Sequence, residues 1–267
     1  MYKHFYGLTF NPFDKSSPVQ TAFHSKDHLE MQNRLDFLKY AKGIGLFTAD
    51  SGCGKTFAIR CFAEGLNPNL YEMVYICLST ISIMEFYRQL CMELGLEPCG
   101  RKTVMFNTIQ ERLRYLTKEK RKTVLIAVDE CQYLDAKILR DFKILMNQDY
   151  DSLDCFALIL VGMPYMNNIL EKPIHEALKQ RVVVHYNFSG LSKEEVKEYI
   201  YSRIEAAGAS RTIIDEAAIH AVAGYSQGTP RIINSVMTNA LLLGAQLKKQ
   251  TIDTEIILAA SNSLALG

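Results

Sequence analysis

Residues 44–49 form a short apolar run, Ile-Gly-Leu-Phe-Thr-Ala, which passes into Asp-Ser-Gly-Cys-Gly-Lys-Thr and then into a helical pattern over 55–65. A buried strand that leaves through a glycine-containing loop into a helix cannot return by a hairpin. Its next partner must be reached by a crossover, and crossovers build parallel sheets with helices packed on the faces. Further apolar runs repeat the theme at 73–78, 123–128, 156–162 and 182–188. Their length and their Val, Ile and Leu content suit strands covered on both faces. Helical patterns lie between them. Ser82 and Glu85 form a capping-box pattern at the start of a helix over 82–94. Met105, Phe106, Ile109, Leu113 and Leu116 mark one apolar stripe, and 136–146 is a fourth helix. The alternation predicts an α/β fold, a five-stranded parallel sheet between two helical layers.

After Phe188 the strand signal ends. Ser192 opens a second capping box with Glu195, and a helix over 193–207 stops at Gly208. Helical stretches follow near 215–224, 229–247 and 253–261. These predict a small all-helical domain over 189–267 behind an α/β domain over 1–188.

The 267 residues are 48% apolar and 22% charged, which is an ordinary globular balance. Formal net charge is +1, so affinity for nucleic acid requires a local patch. The seven cysteines include no C-x-x-C pair and read as reduced thiols. The sequence shows no apolar signal region and no run of membrane-spanning length, so the expectation is a cytoplasmic, prokaryotic protein without a membrane partner.

Residues 49–56 supply the chemistry. Gly52 and Gly54 let the backbone curl so that its N–H groups face phosphate oxygens, and the following helix N-terminus adds partial positive charge. Lys55 reaches the β- and γ-phosphates, and the Thr56 hydroxyl completes a Mg2+ shell. The nucleotide-binding set is Ala49, Asp50, Ser51, Gly52, Cys53, Gly54, Lys55, Thr56 and Phe57, with Ala49 standing where the motif has its first glycine. The third apolar run ends in Asp129-Glu130. Two acids at the carboxyl edge of a strand suit metal binding by Asp129 and water activation by Glu130.

With both motifs in place, the chain resembles the AAA+ ATPases over essentially its whole length. Within them it resembles the ExeA-like proteins and the DNA-transposition regulators of the TnsC, TniB and Mu B type. The carriers are Phe5-Tyr6-Gly7-Leu8-Thr9-Phe10-Asn11-Pro12-Phe13, Asp129-Glu130-Cys131-Gln132 and Gly162-Met163-Pro164. The resemblance implies sheet order 5-1-4-3-2, a helical lid, and ATP hydrolysis with ATP and Mg2+ as cofactors. It also implies an adenine-side segment over 1–25 carrying Phe10 and Pro12. It makes Arg181 an arginine finger directed at a neighbouring subunit, and Arg231, in Gly228-Thr229-Pro230-Arg231, the γ-phosphate sensor of its own chain. The sensor-1 position falls on Met163, whose side chain donates no hydrogen bond.

Residues 101–122 carry eight cations against two acids. Multiplied in a ring or filament, such a segment can follow a phosphodiester backbone. The DNA-contact set is Arg101, Lys102 and Thr103, with Lys137, Arg140 and Lys143 on the helix after the acidic pair. No base-reading motif is present, so binding is expected to be largely independent of sequence. The resemblance then implies an ATPase that oligomerises on duplex DNA and directs a transposase. The alternatives are an ATPase of a secretion or cell-envelope assembly and a helicase-loader or initiator type.

Overall fold

The computed structural model describes residues 2–15, 18–77, 82–148 and 153–265. They divide into two compact units: Glu30–Ser51 with Lys55–Phe188, and Met1–Leu29 with Gly52–Gly54 and Ser189–Gly267.

The first unit is an α/β layer structure. Its strands are β1 (Gly43–Thr48), β2 (Tyr71–Cys77), β3 (Thr123–Asp129), β4 (Phe156–Gly162) and β5 (Val182–Asn187). All pairs are parallel, in the order β2-β3-β4-β1-β5. This is the expected order 5-1-4-3-2 read from the other edge. The second predicted run extended to Leu78, which lies outside the described residues. Burial explains why the central strands read as continuous apolar runs. Every residue of β4 is buried, as are all but the first of β3, whereas the edge strand β5 exposes three of its residues.

Along β3, successive side chains enter opposite layers. Val124, Ile126 and Val128 face a core shared with α3 (Ile83–Glu93), α4 (Lys102–Arg114) and α5 (Ala136–Met146). Leu125 and Ala127 face Met31, Leu35 and Leu38 of α1 (Lys26–Ala41) and Ala58, Ile59 and Phe62 of α2 (Lys55–Glu64). The predicted capping box at Ser82 is present: Ser82 Oγ accepts from the Glu85 N–H, and Glu85 returns a carboxylate to the Ser82 N–H. Helix α1 adds to the expected elements, as does a short antiparallel pairing of Asn147–Gln148 with Leu153–Asp154.

The register sets the position of the site. Thr48 lies opposite Gly162 and Asn187, and Cys77 lies opposite Asp129. The carboxyl ends of the strands therefore gather Ala49, Asp129 and Met163 along one edge of the sheet, where open α/β sheets bind ligands.

The second unit is helical: α7 (Lys193–Ala206), α8 (Glu216–Ser226), α9 (Pro230–Gln246) and α10 (Thr254–Ala265), with α6 (Tyr165–Leu170) belonging to the α/β unit. Ile200 and Ile204 of α7 pack with Val222 of α8, Val236 and Leu241 of α9, and Ile257 of α10. The first 29 residues belong to this unit, whereas the sequence reading attached 1–25 to the α/β domain. The Tyr6 hydroxyl donates to the Lys249 carbonyl at 2.9 Å. The buried Arg203 guanidinium donates through Nε to the Pro12 carbonyl at 2.6 Å and through Nη1 to the Thr21 carbonyl at 3.2 Å. A cation in a core needs such acceptors, and these hold the segment against α7.

Candidate nucleotide site

The loop after β1 adopts the shape its glycines allow. Gly52 and Gly54 have φ of 89° and 93°, in the left-handed region that L side chains seldom enter. A Cβ on Gly54 would meet nothing within 4 Å, so the loop borders open space there. Helix α2 begins directly at Lys55, and its first turn presents backbone N–H groups that have no helical partner. Lys55 is buried, with Nζ donating to the Ala49 carbonyl at 2.7 Å and the Asp50 carbonyl at 3.0 Å. Its ammonium is thus held at the loop by weak neutral acceptors, which a phosphate can outcompete. Ala49 is buried, and its N–H donates to the Gly162 carbonyl at 3.1 Å, tying the start of the loop to the end of β4.

Asp129 is buried at the end of β3. Its Oδ2 accepts from Thr56 Oγ1 at 2.6 Å and from the Tyr75 hydroxyl at 2.9 Å, and its Oδ1 accepts from the Glu130 N–H at 2.9 Å. Burial and the Asp129 charge both push the Tyr75 phenol upward from its ordinary range, so it stays a proton donor. The Thr56 hydroxyl and the Asp129 carboxylate are hard oxygen donors brought together, as a Mg2+ ion requires. Among the described residues no cluster of three or more His, Cys, Asp and Glu could hold a metal. The remaining ligands would therefore come from phosphate and water, the usual Mg2+ arrangement.

Glu130 has φ 54° and ψ 37°. A left-handed non-glycine residue costs about 1–3 kcal/mol and persists where its surroundings fix it. Its Oε2 accepts from Gln132 Nε2 at 2.7 Å, and Gln132 Oε1 accepts from the Met163 N–H at 3.0 Å. Gln132 stands in the Asp-Glu-Cys-Gln motif with no expected task, and the sequence around Tyr75 gives no sign of one. Only the β2–β3 register brings Tyr75 to Asp129. Replacing Tyr75 with Phe removes a hydrogen bond to a buried carboxylate. The expected cost is about 1–2 kcal/mol, read as a Tm lower by a few degrees; an unchanged Tm would show that the bond is idle.

Arg181 stands at the opposite end of the sheet. Its carbonyl accepts from the Ile44 N–H at 2.9 Å, and Nη1 lies 3.6 Å from Asp154 Oδ1. From Ile44 to Thr48 is about 13 Å of strand, further than an arginine side chain reaches, so Arg181 does not serve the loop of its own chain. In the helical unit, the Arg231 N–H donates to the Gly52 carbonyl at 3.2 Å. Phe10 packs at the margin of the helical core, and Pro12 is buried. Of the DNA-contact candidates, Arg101, Thr103, Lys137 and Arg140 are exposed. Lys102 is engaged with Asp141 at 2.5 Å and lies over the Tyr87 ring. Lys143 and Arg140 line a groove with Ile144 and Ile174.

Known proteins share this fold. Residues 38–170 match the family model described as an AAA domain. The described fold is similar to that of Cdc6p from Pyrobaculum aerophilum, with TM-score 0.70 and 16% identity over 90% of this chain and 67% of that one. It is likewise similar to the ORC1 protein of Aeropyrum pernix, solved in complex with DNA, with TM-score 0.68 and 16% identity over 94% of this chain and 68% of that one. Fold, loop and acidic pair together are those of the AAA+ P-loop fold, with the family match lying over residues 38–170. In sequence the chain is 30% identical over 266 residues to General secretion pathway protein A of Aeromonas hydrophila, covering 97% of this chain and 48% of that protein. It thus spans about half the length of that relative. Among the described residues no helix is long and apolar enough to cross a membrane.

Proposed function

We propose that this chain is an ATPase that assembles, in its ATP state, on duplex DNA and regulates transposition by directing a transposase to its target. The observation that carries the assembly is the position of Arg181. A cation at the far edge of the sheet is of no use to its own triphosphate, but it suits the γ-phosphate bound by a second copy, as a ring or filament provides. Lys55 and the loop from Ala49 to Phe57 hold the phosphates, Thr56 and Asp129 hold Mg2+, Glu130 activates water, and Arg231 senses the γ-phosphate. The Mg2+ would neutralise phosphate charge and leave the proton to Glu130. Phe10 and Pro12 are assigned to the adenine side. Exposed Arg101, Thr103, Lys137 and Arg140 suit contact with a phosphodiester backbone, with Lys143 and Lys102 as secondary cations. The link to transposition rests on the Asp-Glu-Cys-Gln, Gly-Met-Pro and N-terminal motifs.

A second reading, an ATPase serving a secretion assembly, is favoured by the likeness to General secretion pathway protein A across nearly the whole chain. Sizing in a non-hydrolysable ATP analogue, with and without random duplex DNA, separates the two. The expected result is a large assembly that needs both nucleotide and DNA, and its absence in Arg181→Ala at unchanged nucleotide affinity. A chain that stays monomeric at micromolar concentration with both ligands defeats the assembly and the finger together. Assembly that ignores DNA favours the secretion reading.

A further inference from the structure

We infer that Gln132 is a positioning residue for ATP hydrolysis: its side-chain amide ties the Glu130 carboxylate to the backbone N–H of Met163 at the end of β4. The inference rests on Glu130 as the residue that takes the proton of the attacking water.

The orientation of the amide is fixed by chemistry. The Met163 N–H can only donate, so the oxygen of Gln132 faces it, at 3.0 Å. The NH2 group is thereby directed at Glu130 Oε2, at 2.7 Å. One side chain thus spans from a rigid strand end to a carboxylate whose own backbone is held in the left-handed region. The space for it is provided by the neighbouring glycine. A Cβ on Gly162 would lie 2.4 Å from Gln132 Oε1 and 2.8 Å from Cys131 Sγ, so any larger residue displaces the amide. Gly162 has no positive φ to explain its identity, whereas the close approach of Gln132 does.

The arrangement also accounts for Met163. A methionine side chain cannot hydrogen-bond to a phosphate, but the backbone N–H of the same residue is engaged through Gln132. The end of β4 is therefore connected to the general base without a polar side chain at position 163. An amide donor on Oε2 holds the carboxylate in one rotamer and leaves Oε1 to accept from water. In the hydrolytic step, the water oxygen forms a bond to the γ-phosphorus, the bond from that phosphorus to the bridging oxygen breaks, ADP leaves with the electron pair, and Glu130 receives the water proton. A free carboxylate samples several rotamers, and misplacement by about 1 Å can cost a hundredfold in rate.

Two substitutions in the full chain separate positioning from a tether. Gln132→Met keeps the length and removes both hydrogen bonds. Gln132→Glu keeps an acceptor for the Met163 N–H and removes the donor to Glu130. The readouts are phosphate release with saturating Mg-ATP and the affinity of a fluorescent ATP analogue. The expected result is a kcat about 10- to 100-fold lower in both variants, with analogue affinity in Gln132→Met within about threefold of the parent. Full activity in Gln132→Glu would reduce Gln132 to a tether and overturn the proposal. So would kcat within twofold of the parent in Gln132→Met, or an affinity that falls in step with kcat. If Gln132→Met does not fold, Gln132→Glu decides. Parent-like turnover by Glu130→Gln is a different result, because it removes the general-base reading itself.

Discussion

Lys55→Ala is expected to abolish ATP binding while leaving the fold in place. The amine is buried at the loop, 2.7 Å from the Ala49 carbonyl and 3.0 Å from the Asp50 carbonyl. Neutral carbonyls are modest partners for a buried cation, so its removal relieves desolvation as well as costing hydrogen bonds. A phosphate oxygen, by contrast, forms charge-assisted bonds worth about 1.5–3 kcal/mol each. Losing two of them lowers affinity by about a hundredfold to ten-thousandfold, which takes a micromolar site out of any practical range. Titration with a fluorescent ATP analogue measures the loss, and thermal unfolding followed by circular dichroism checks the fold. Affinity within tenfold of the parent in a folded variant would mean that the loop binds phosphate through its backbone alone. Lys55→Arg should fail nearly as badly, since a planar five-donor fork does not fit where a compact ammonium is buried.

That loop was legible because its chemistry is local. Glycines at 52 and 54, a lysine and a threonine lie within a few residues, and the apolar run before them reports a strand buried on both faces. The same reason made β3 and β4 readable, and with them the placement of Asp129. What escaped the sequence depends on residues far apart. Tyr75 reaches Asp129 across 54 positions, and a tyrosine in an apolar strand gives no sign of that use. Gln132 acts across 31 positions on the Met163 N–H, through space that exists because residue 162 lacks a Cβ. Helix α1 has a usable signal in the spacing of Met31, Leu35 and Leu38, but intervening polar residues dilute the stripe. The N-terminal segment was assigned to the α/β domain because a motif alone does not show which core it joins. The bond from Tyr6 to Lys249 spans 243 positions. Charge counting identified Lys102 as a cation, but not that Asp141 already neutralises it.

Glu130→Gln should separate binding from hydrolysis. The substitution is isosteric, and glutamine retains a side-chain oxygen to accept from Gln132 Nε2, the bond that glutamate makes at 2.7 Å. The left-handed backbone at φ 54° is no harder for glutamine than for glutamate, so stability should change by less than about 0.5 kcal/mol. What glutamine cannot do is receive the proton of the attacking water. General-base catalysis contributes typically 100- to 10,000-fold, and phosphate release in saturating Mg-ATP should fall within that range. Nucleotide affinity should stay within about threefold, because Lys55, Thr56 and Asp129 are untouched. An intact ATP state that does not decay should then hold the assembly as a non-hydrolysable analogue does, which joins the chemistry of one residue to the proposed biology. Equal turnover by the variant and the parent would remove Glu130 from the mechanism. Slow turnover with weakened binding would instead place Glu130 among the groups that hold Mg2+. Only the split between intact affinity and lost turnover identifies it as the base.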